Sequence, residues 1–181
     1  LISLLGPIKR LPAATRITFA ERTATSKERY GEKLPVETPT HVAGTLEFVS
    51  GAIGSLIMSF DVWKSRLPRI DLFGTLGSIG APDPNTFWGP VSVFRPGSEQ
   101  FAEVPLTHGY AENSRGVGLL DLSLAVDRGR PHRASGELSL HVLEAMHGLL
   151  ESGENGEFYA MTTSCERPAP LPIGLIDGQL D

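Results

Sequence analysis

Apolar and polar residues alternate with period two in short stretches of the first hundred positions, and the main helical spacing comes late, beyond residue 115. Thr15, Ile17 and Phe19 alternate against Arg16 and Thr18 in a β-like stretch over 8–19. Leu46 and Phe48 alternate against Thr45 and Glu47, Ser50-Gly51 supplies a turn, and residues 53–60 return. The returning segment is apolar on both faces (Leu56, Ile57, Met58, Phe60), which predicts a central strand. A second hairpin covers 69–73, turns over Gly74-Thr75-Leu76-Gly77 and returns over 78–81, where Pro82-Asp83-Pro84-Asn85 stops it. Short strands are predicted at 91–94, 101–104 and 158–162, and 21–38, poor in apolar anchors, reads as a long loop.

Two helices follow. Leu119, Leu122 and Val126 fall at i, i+3 and i+7 in the first, which ends at Asp127-Arg128-Gly129. The second has Ser135 as N-cap, Glu137 in its first turn and Gly153 as C-cap. Its apolar stripe (Leu138, Val142, Ala145, Met146, Leu149, Leu150) is wide enough to lie on a sheet. Glu137, His141 and Glu144, with His147 nearby, then occupy the opposite face. They read as a solvated row of charge pairs rather than a metal set. Strands first and helices afterwards, with short turns, predict an α+β fold: an open-faced, mostly antiparallel sheet with helices packed on one face. Residues 1–163 are expected to form a single domain and 164–181 a proline-rich tail. The apolar start, residues 1–5, stops at Gly6-Pro7 like the last turn of a longer helix.

Composition narrows the function. The chain has 181 residues, 16 basic and 21 acidic, so 16 − 21 = −5. Scattered cations on an acidic chain argue against a nucleic-acid partner. No apolar run nears the roughly 20 residues of a membrane span, and the start lacks signal-peptide features, so a cytoplasmic location is expected. The single cysteine, Cys165, excludes a disulfide framework and a cysteine-based zinc site.

Two constellations carry candidate chemistry. Thr107-His108-Gly109-Tyr110-Ala111-Glu112-Asn113-Ser114-Arg115 gathers an imidazole, a phenol, an amide, a carboxylate and a guanidinium just before a helix. Capping alone accounts for Asn113 or Ser114, whereas His108 and Tyr110 suit recognition of a polyol or sugar. Asp61-Val62-Trp63-Lys64-Ser65-Arg66 places a tryptophan beside two cations at a strand end, either as a pocket wall or as a packed rim. Gly116-Val117-Gly118 opens a helix but has Asp121 where a dinucleotide loop needs its third glycine, and no βαβ unit surrounds it. The glycines at 74, 77 and 80 are turn and packing residues. No phosphate loop and no catalytic acid, base or nucleophile stands out.

The text Gly44-Thr-Leu-Glu-Phe-Val-Ser-Gly51-Ala-Ile-Gly54, then Ser59-Phe60 and Ile70-Asp-Leu-Phe-Gly74-Thr-Leu-Gly77-Ser, resembles the C-terminal domain of the Gfo/Idh/MocA oxidoreductases. So does Gly129-Arg-Pro131-His-Arg-Ala-Ser135-Gly-Glu137 leading into His141-Val-Leu-Glu-Ala-Met146, then Glu151-Ser152 and Gly156. The resemblance runs from about residue 6 to 163. It implies a fold like the C-terminal domains of dihydrodipicolinate reductase and glyceraldehyde-3-phosphate dehydrogenase. It also implies a two-domain enzyme whose absent Rossmann half binds NAD or NADP and holds the lysine of a Glu-Lys-Pro motif. The isolated chain is then expected to be inactive, with no cofactor of its own, and the intact product about twice as long. Carried over by position, the substrate contacts are Trp63, Lys64, Arg66, His108 and Tyr110. A sugar-like substrate and a homodimer or higher oligomer through the exposed sheet face are further implications. The competing expectation is a non-enzymatic binding or scaffold module dimerising through that same face.

Overall fold

The computed structural model describes residues 1–112, 114–176 and 178–180. In chain order the elements are α1 (Ile2–Leu5), β1 (Ile8–Leu11), β2 (Ala13–Arg16), β3 (Glu21–Thr23), β4 (Lys33–Pro35), β5 (His41–Phe48), β6 (Ile53–Ser59), β7 (Ile70–Gly74), β8 (Gly77–Ala81), β9 (Val91–Phe94), β10 (Ala102–Val104), α2 (Val117–Arg128), α3 (Gly136–Asn155) and β11 (Tyr159–Ala160). They form an α+β fold whose paired strands are all antiparallel. Two compact units are present, one of Leu1–Lys64 with Ala134–Pro168 and one of Ser65–Arg133 with Ala169–Asp181.

In the first unit, β1 and β2 behave as one strand interrupted at Pro12, which has no N–H for a ladder. Both pair with β5, Ile8 opposite Phe48, Ala13 opposite Gly44 and Arg16 opposite His41. The Pro12 carbonyl still accepts from Thr45 N at 3.0 Å. Beyond the break, Ala13 N donates to the Ser152 hydroxyl of α3 at 3.0 Å, and that hydroxyl donates on to the Glu157 carbonyl. β11 flanks β1, and β6 pairs only with β5 among the described residues. The segment expected as a central strand is therefore an edge. Its outward Ile53 and Ile57 are exposed, while Leu56 turns inward. The stretch expected as loop carries a small hairpin, β3 with β4, around a 3₁₀ turn at Lys27–Arg29. Its polar side chains hide the strand signal, and the Lys33–Glu21 and Arg29–Glu32 pairs bind it locally.

α3 packs on the face of this sheet that carries Leu46 and Phe48, both buried. Ile8, Leu11, Ala145 and Leu149 complete the core. Ser135 caps α3 as expected, accepting from Leu138 N at 3.1 Å. The helix ends at Gly156 in the left-handed conformation, not at Gly153. Gly153 lies inside the helix, where an added Cβ would come within 2.4 Å of the Thr15 side chain.

The inward face of α3 is also displaced from the apolar stripe. His141, Ala145, Gly148, Leu149 and Ser152 are buried, whereas Val142 and Met146 are 40 % and 59 % exposed. His141 is fully buried: its Nε2 accepts from Ile8 N at 2.9 Å, and its Nδ1 lies 3.0 Å from the Thr163 hydroxyl. Glu144 accepts from Thr162 N and Oγ1, both at 2.6 Å, from Thr163 N at 2.8 Å, and from the Thr163 hydroxyl. The expected solvated row is thus half inverted, because backbone donors at strand ends attract polar side chains inward.

The second unit holds a meander, β7-β8-β9-β10, in the predicted hairpin order. α2 ends at Gly129 in the left-handed conformation, as expected. It buries Asp121 and Ala125 while Leu119 and Val126 are 73 % and 74 % exposed, opposite to the periodicity reading. Asp121 turns inward because Arg130 donates to it at 2.9 Å and Arg133 through both its backbone N, at 2.7 Å, and its guanidinium.

Burial alone would raise the Glu144 carboxyl, but the four donors of Thr162 and Thr163 outweigh it and hold it at about 2, against 4.5 in a free side chain. A depressed carboxyl contributes stability above its unfolded pKa and loses it as pH falls from 4.5 toward 2. Glu144→Gln is therefore expected to destabilise the chain by about 2 kcal/mol at pH 7. In thermal melts between pH 7 and 2, its difference from the native chain should shrink across that acid window. Phe48→Ala should cost about 3–5 kcal/mol in a denaturant titration.

Candidate functional site

The loop after β6 is braced at its root. Asp61 accepts from the Thr18 and Thr40 hydroxyls, both at 2.7 Å, and pairs with Arg22. These donors, Thr18 foremost, hold its carboxyl below the usual range. Asp61 N donates to Ser59 Oγ at 3.1 Å, and the same hydroxyl lies 2.9 Å from His41 Nδ1. Trp63, two residues beyond, is fully exposed, and Lys64 and Arg66 are exposed. None of the three makes a hydrogen bond or ion pair among the described residues. Trp63 and Lys64 end the first of the two segments of the first unit; Arg66 belongs to the second unit, with His108 and Tyr110.

In the second unit, a turn over residues 82–89 is knotted on Asp83. Asp83 Oδ1 accepts from Asn85 N at 2.9 Å, and its carbonyl accepts from Thr86 N and Oγ1 at 3.1 and 2.8 Å. Thr86 Oγ1 also lies 2.7 Å from the Trp88 carbonyl. Gly89 closes the turn at φ +156, where an added Cβ would meet Pro82 Cβ at 2.4 Å, so only glycine fits. The result presents Phe87 and Trp88 side by side, with the Arg115 guanidinium 5.8 Å from the Phe87 ring centroid.

Between this turn and residues 104–111 lies a cavity of about 400 Å³, with Asp83, Phe87, Trp88, Pro105, Thr107 and His108 among its lining residues. A second concavity of about 490 Å³ shares Phe87 and Trp88 and adds Glu112 and Arg115. His108 Nδ1 lies 3.0 Å from the Thr107 hydroxyl. Tyr110 does not line either cavity. Its hydroxyl donates to the Gln179 carbonyl at 2.6 Å and lies 3.3 Å from that of Ile176. Its backbone sits at φ +63. Gly109, read as a point of close approach, faces the Leu175 carbonyl, 2.5 Å from where a Cβ would stand. Gly174 N donates to the Thr107 carbonyl at 3.3 Å, so what passes close to the loop is the chain's own C-terminal segment. Asn113 lies outside the described residues. Ser114 makes no side-chain cap to α2 and donates instead to the Glu112 carbonyl.

The structure thus brings His108 together with Asp83, expected only as part of a strand stop, and with Phe87 and Trp88, which the local pattern did not single out. An aromatic pair held between a Pro-Asp-Pro-Asn run and a glycine is the signal that marks them. Among the described residues every strand pair is antiparallel, so no parallel βαβ crossover cradles the Gly116–Gly118 turn. No group of three or more metal-ligating side chains occurs among the described residues, and no helix there is long and apolar enough to cross a membrane.

The fold is that of part of the Gfo/Idh/MocA-type NAD-binding oxidoreductases. Levoglucosan dehydrogenase in its apo form superposes with a TM-score of 0.69 over 88 % of this chain and 47 % of its own length, at 18 % identity. An NAD-binding oxidoreductase from Klebsiella pneumoniae gives 0.68 over 89 % and 47 %, at 16 % identity. Aldose-aldose oxidoreductase from Caulobacter crescentus, complexed with glycerol, gives 0.59 over 88 % and 45 %, at 18 % identity. The chain therefore spans slightly less than half the length of these structures. No family model and no curated protein matches its sequence.

Tyr110→Phe removes only the hydroxyl that ties the C-terminal segment, at an expected cost of about 1 kcal/mol. Hydrogen exchange should show the Gly174 amide opening faster while amides of β5 and α3 keep their protection.

Proposed function

We propose that this chain is the substrate-binding and oligomerisation part of an NAD(P)-dependent oxidoreductase acting on a sugar, polyol or related hydroxy compound. The observation that carries the reading is the superposition of nearly the whole chain on slightly under half of enzymes of that type. Levoglucosan dehydrogenase has been captured with NADH and L-sorbose, and with NADH and levoglucosan. In this reading NAD or NADP is held by a segment outside these residues, and the chain alone is inactive. Trp63, Lys64, Arg66, His108 and Tyr110 serve the substrate, and orientation of a bound substrate can itself lower a barrier by several kcal/mol. A cytoplasmic location accompanies the reading.

The sheet face opposite α3 would pair subunits. It carries Ile53 and Ile57, exposed, beside the Arg10–Glu47 ion pair at 2.6 Å, with the Arg10 guanidinium 4.8 Å from the Phe158 ring centroid. That exposed face also supports the scaffold alternative, in which pairing is the whole function.

The gene product that carries this chain is assayed for NAD(P)H formation over a panel of sugars and polyols. Turnover is expected, with kcat/KM lowered about tenfold or more by His108→Ala. Absence of turnover in a product no longer than this chain, together with a stable dimer, supports the scaffold reading instead.

A further inference from the structure

We propose that β6 is a dimerisation edge: two copies of this chain pair their β6 strands antiparallel about a two-fold axis at Leu56, making one sheet out of two. Which backbone groups are open follows from the ladder with β5. Phe60 N donates to the Thr40 carbonyl and Phe48 N to that of Ala52, both at 2.9 Å, so residues 54, 56 and 58 also direct their backbone groups to β5. Ile53, Ser55, Ile57 and Ser59 point their N–H and C=O groups the other way, where β6 has no second strand among the described residues. Natural sheet edges are shielded by charge, proline, a bulge or shortness. β6 has none of these: it runs seven residues without a charge or a proline, and its register against β5 is unbroken. Other edges differ, since β7 carries Asp71, β10 is three residues with Glu103, and β11 is two residues.

The strand's own sequence selects a second copy as the occupant. Outward groups must meet outward groups, so odd positions lie opposite odd positions. With Leu56 opposite the partner's Leu56, Ser55 faces the partner's Ile57, Ile53 faces the partner's Ser59, and Gly54 faces the partner's Met58. Every large side chain away from the axis thus meets a small one. That match covers Ile53, Ile57 and Met58, which are 74 %, 55 % and 60 % exposed. An axis at Ser55 instead sets Ile53 against the partner's Ile57, and an axis at Ile57 sets Ile53 against the partner's Asp61. Because β6 is uncharged, no charge meets its own copy at the axis. The axis stands perpendicular to the sheet. Leu56, which packs against the core, therefore meets its own copy on the α3 side and joins two cores. This edge is a different surface from the sheet face invoked above, and the proposal holds whether or not the chain serves an oxidoreductase.

Sedimentation of the 181-residue chain over a dilution series should show a reversible monomer–dimer equilibrium. Its dissociation constant is expected on the order of micromolar, because an edge buries less than a standard interface. Hydrogen exchange resolved to single amides reads the pairing itself. In the dimer Ile53, Ser55, Ile57 and Ser59 should be protected and should lose that protection on dilution, while Gly54, Leu56 and Met58 keep theirs throughout. Ser55→Pro removes an outward N–H and no bond to β5, and should raise the dissociation constant about tenfold or more. Ser55→Lys alters only an exposed side chain, sets two ammonium groups diagonally across the axis, and should raise it too. The proposal is overturned by a chain that stays monomeric at millimolar concentration, by a dimer whose outward amides exchange freely, or by a dimer indifferent to both Ser55 variants. A dimer with freely exchanging outward amides is what face-to-face pairing gives, so it leaves the reading above standing. Alternating protection in a gene product without turnover does the reverse.

Discussion

The first unit depends on a buried polar contact, the hydrogen bond from Ile8 N to His141 Nε2. β1 starts with a shifted register against β5, which leaves the Ile8 amide facing α3 instead of a strand. An orphaned buried amide would cost about 1–3 kcal/mol. His141 removes that penalty and hands its other nitrogen to Thr163, whose hydroxyl donates to Glu144. One helix face thereby grips the start of β1 and the segment after β11 at once. No buried side-chain polar atom among the described residues is left without a partner, so the network is complete. Ser152, about three turns further along the same face of α3, repeats the device at Ala13, just past the Pro12 break.

This explains which parts of the fold were legible in the sequence. Hairpins were, because turn chemistry and period-two alternation agree locally: Gly51 and the Gly74–Gly77 turn sit where they were expected. Helix starts and ends were mostly legible too, through Ser135 and Gly129. Helix orientation was not. Apolar periodicity on α2 and α3 pointed to Leu119, Val126 and Met146, all exposed, because each helix has apolar residues on more than one face. The choice between faces is made by Asp121, His141, Glu144 and Ser152, polar residues whose partners all lie outside their own helix. No window of local pattern can reveal those partners.

The candidate site divides along the same line. His108 was legible as a residue unnecessary for capping, and it lines the cavity. Tyr110 looked equivalent from its spacing, yet its hydroxyl reaches a segment more than sixty positions away. Trp88 was overlooked because Pro82 and Pro84 explain the strand end so completely that the aromatic residues behind them drew no weight. The overall resemblance was visible through the order of several individually common motifs, and superposition on halves of known oxidoreductases supports the fold it implied.

His141 is the acceptor that sets the face of α3. Its ring nitrogens are read directly by ¹⁵N chemical shifts in the native chain at neutral pH. Acceptance from Ile8 N requires a neutral ring with Nδ1 protonated and Nε2 bare, with a coupling across the hydrogen bond to the Ile8 amide. A proton on Nε2, or an imidazolium, would contradict it.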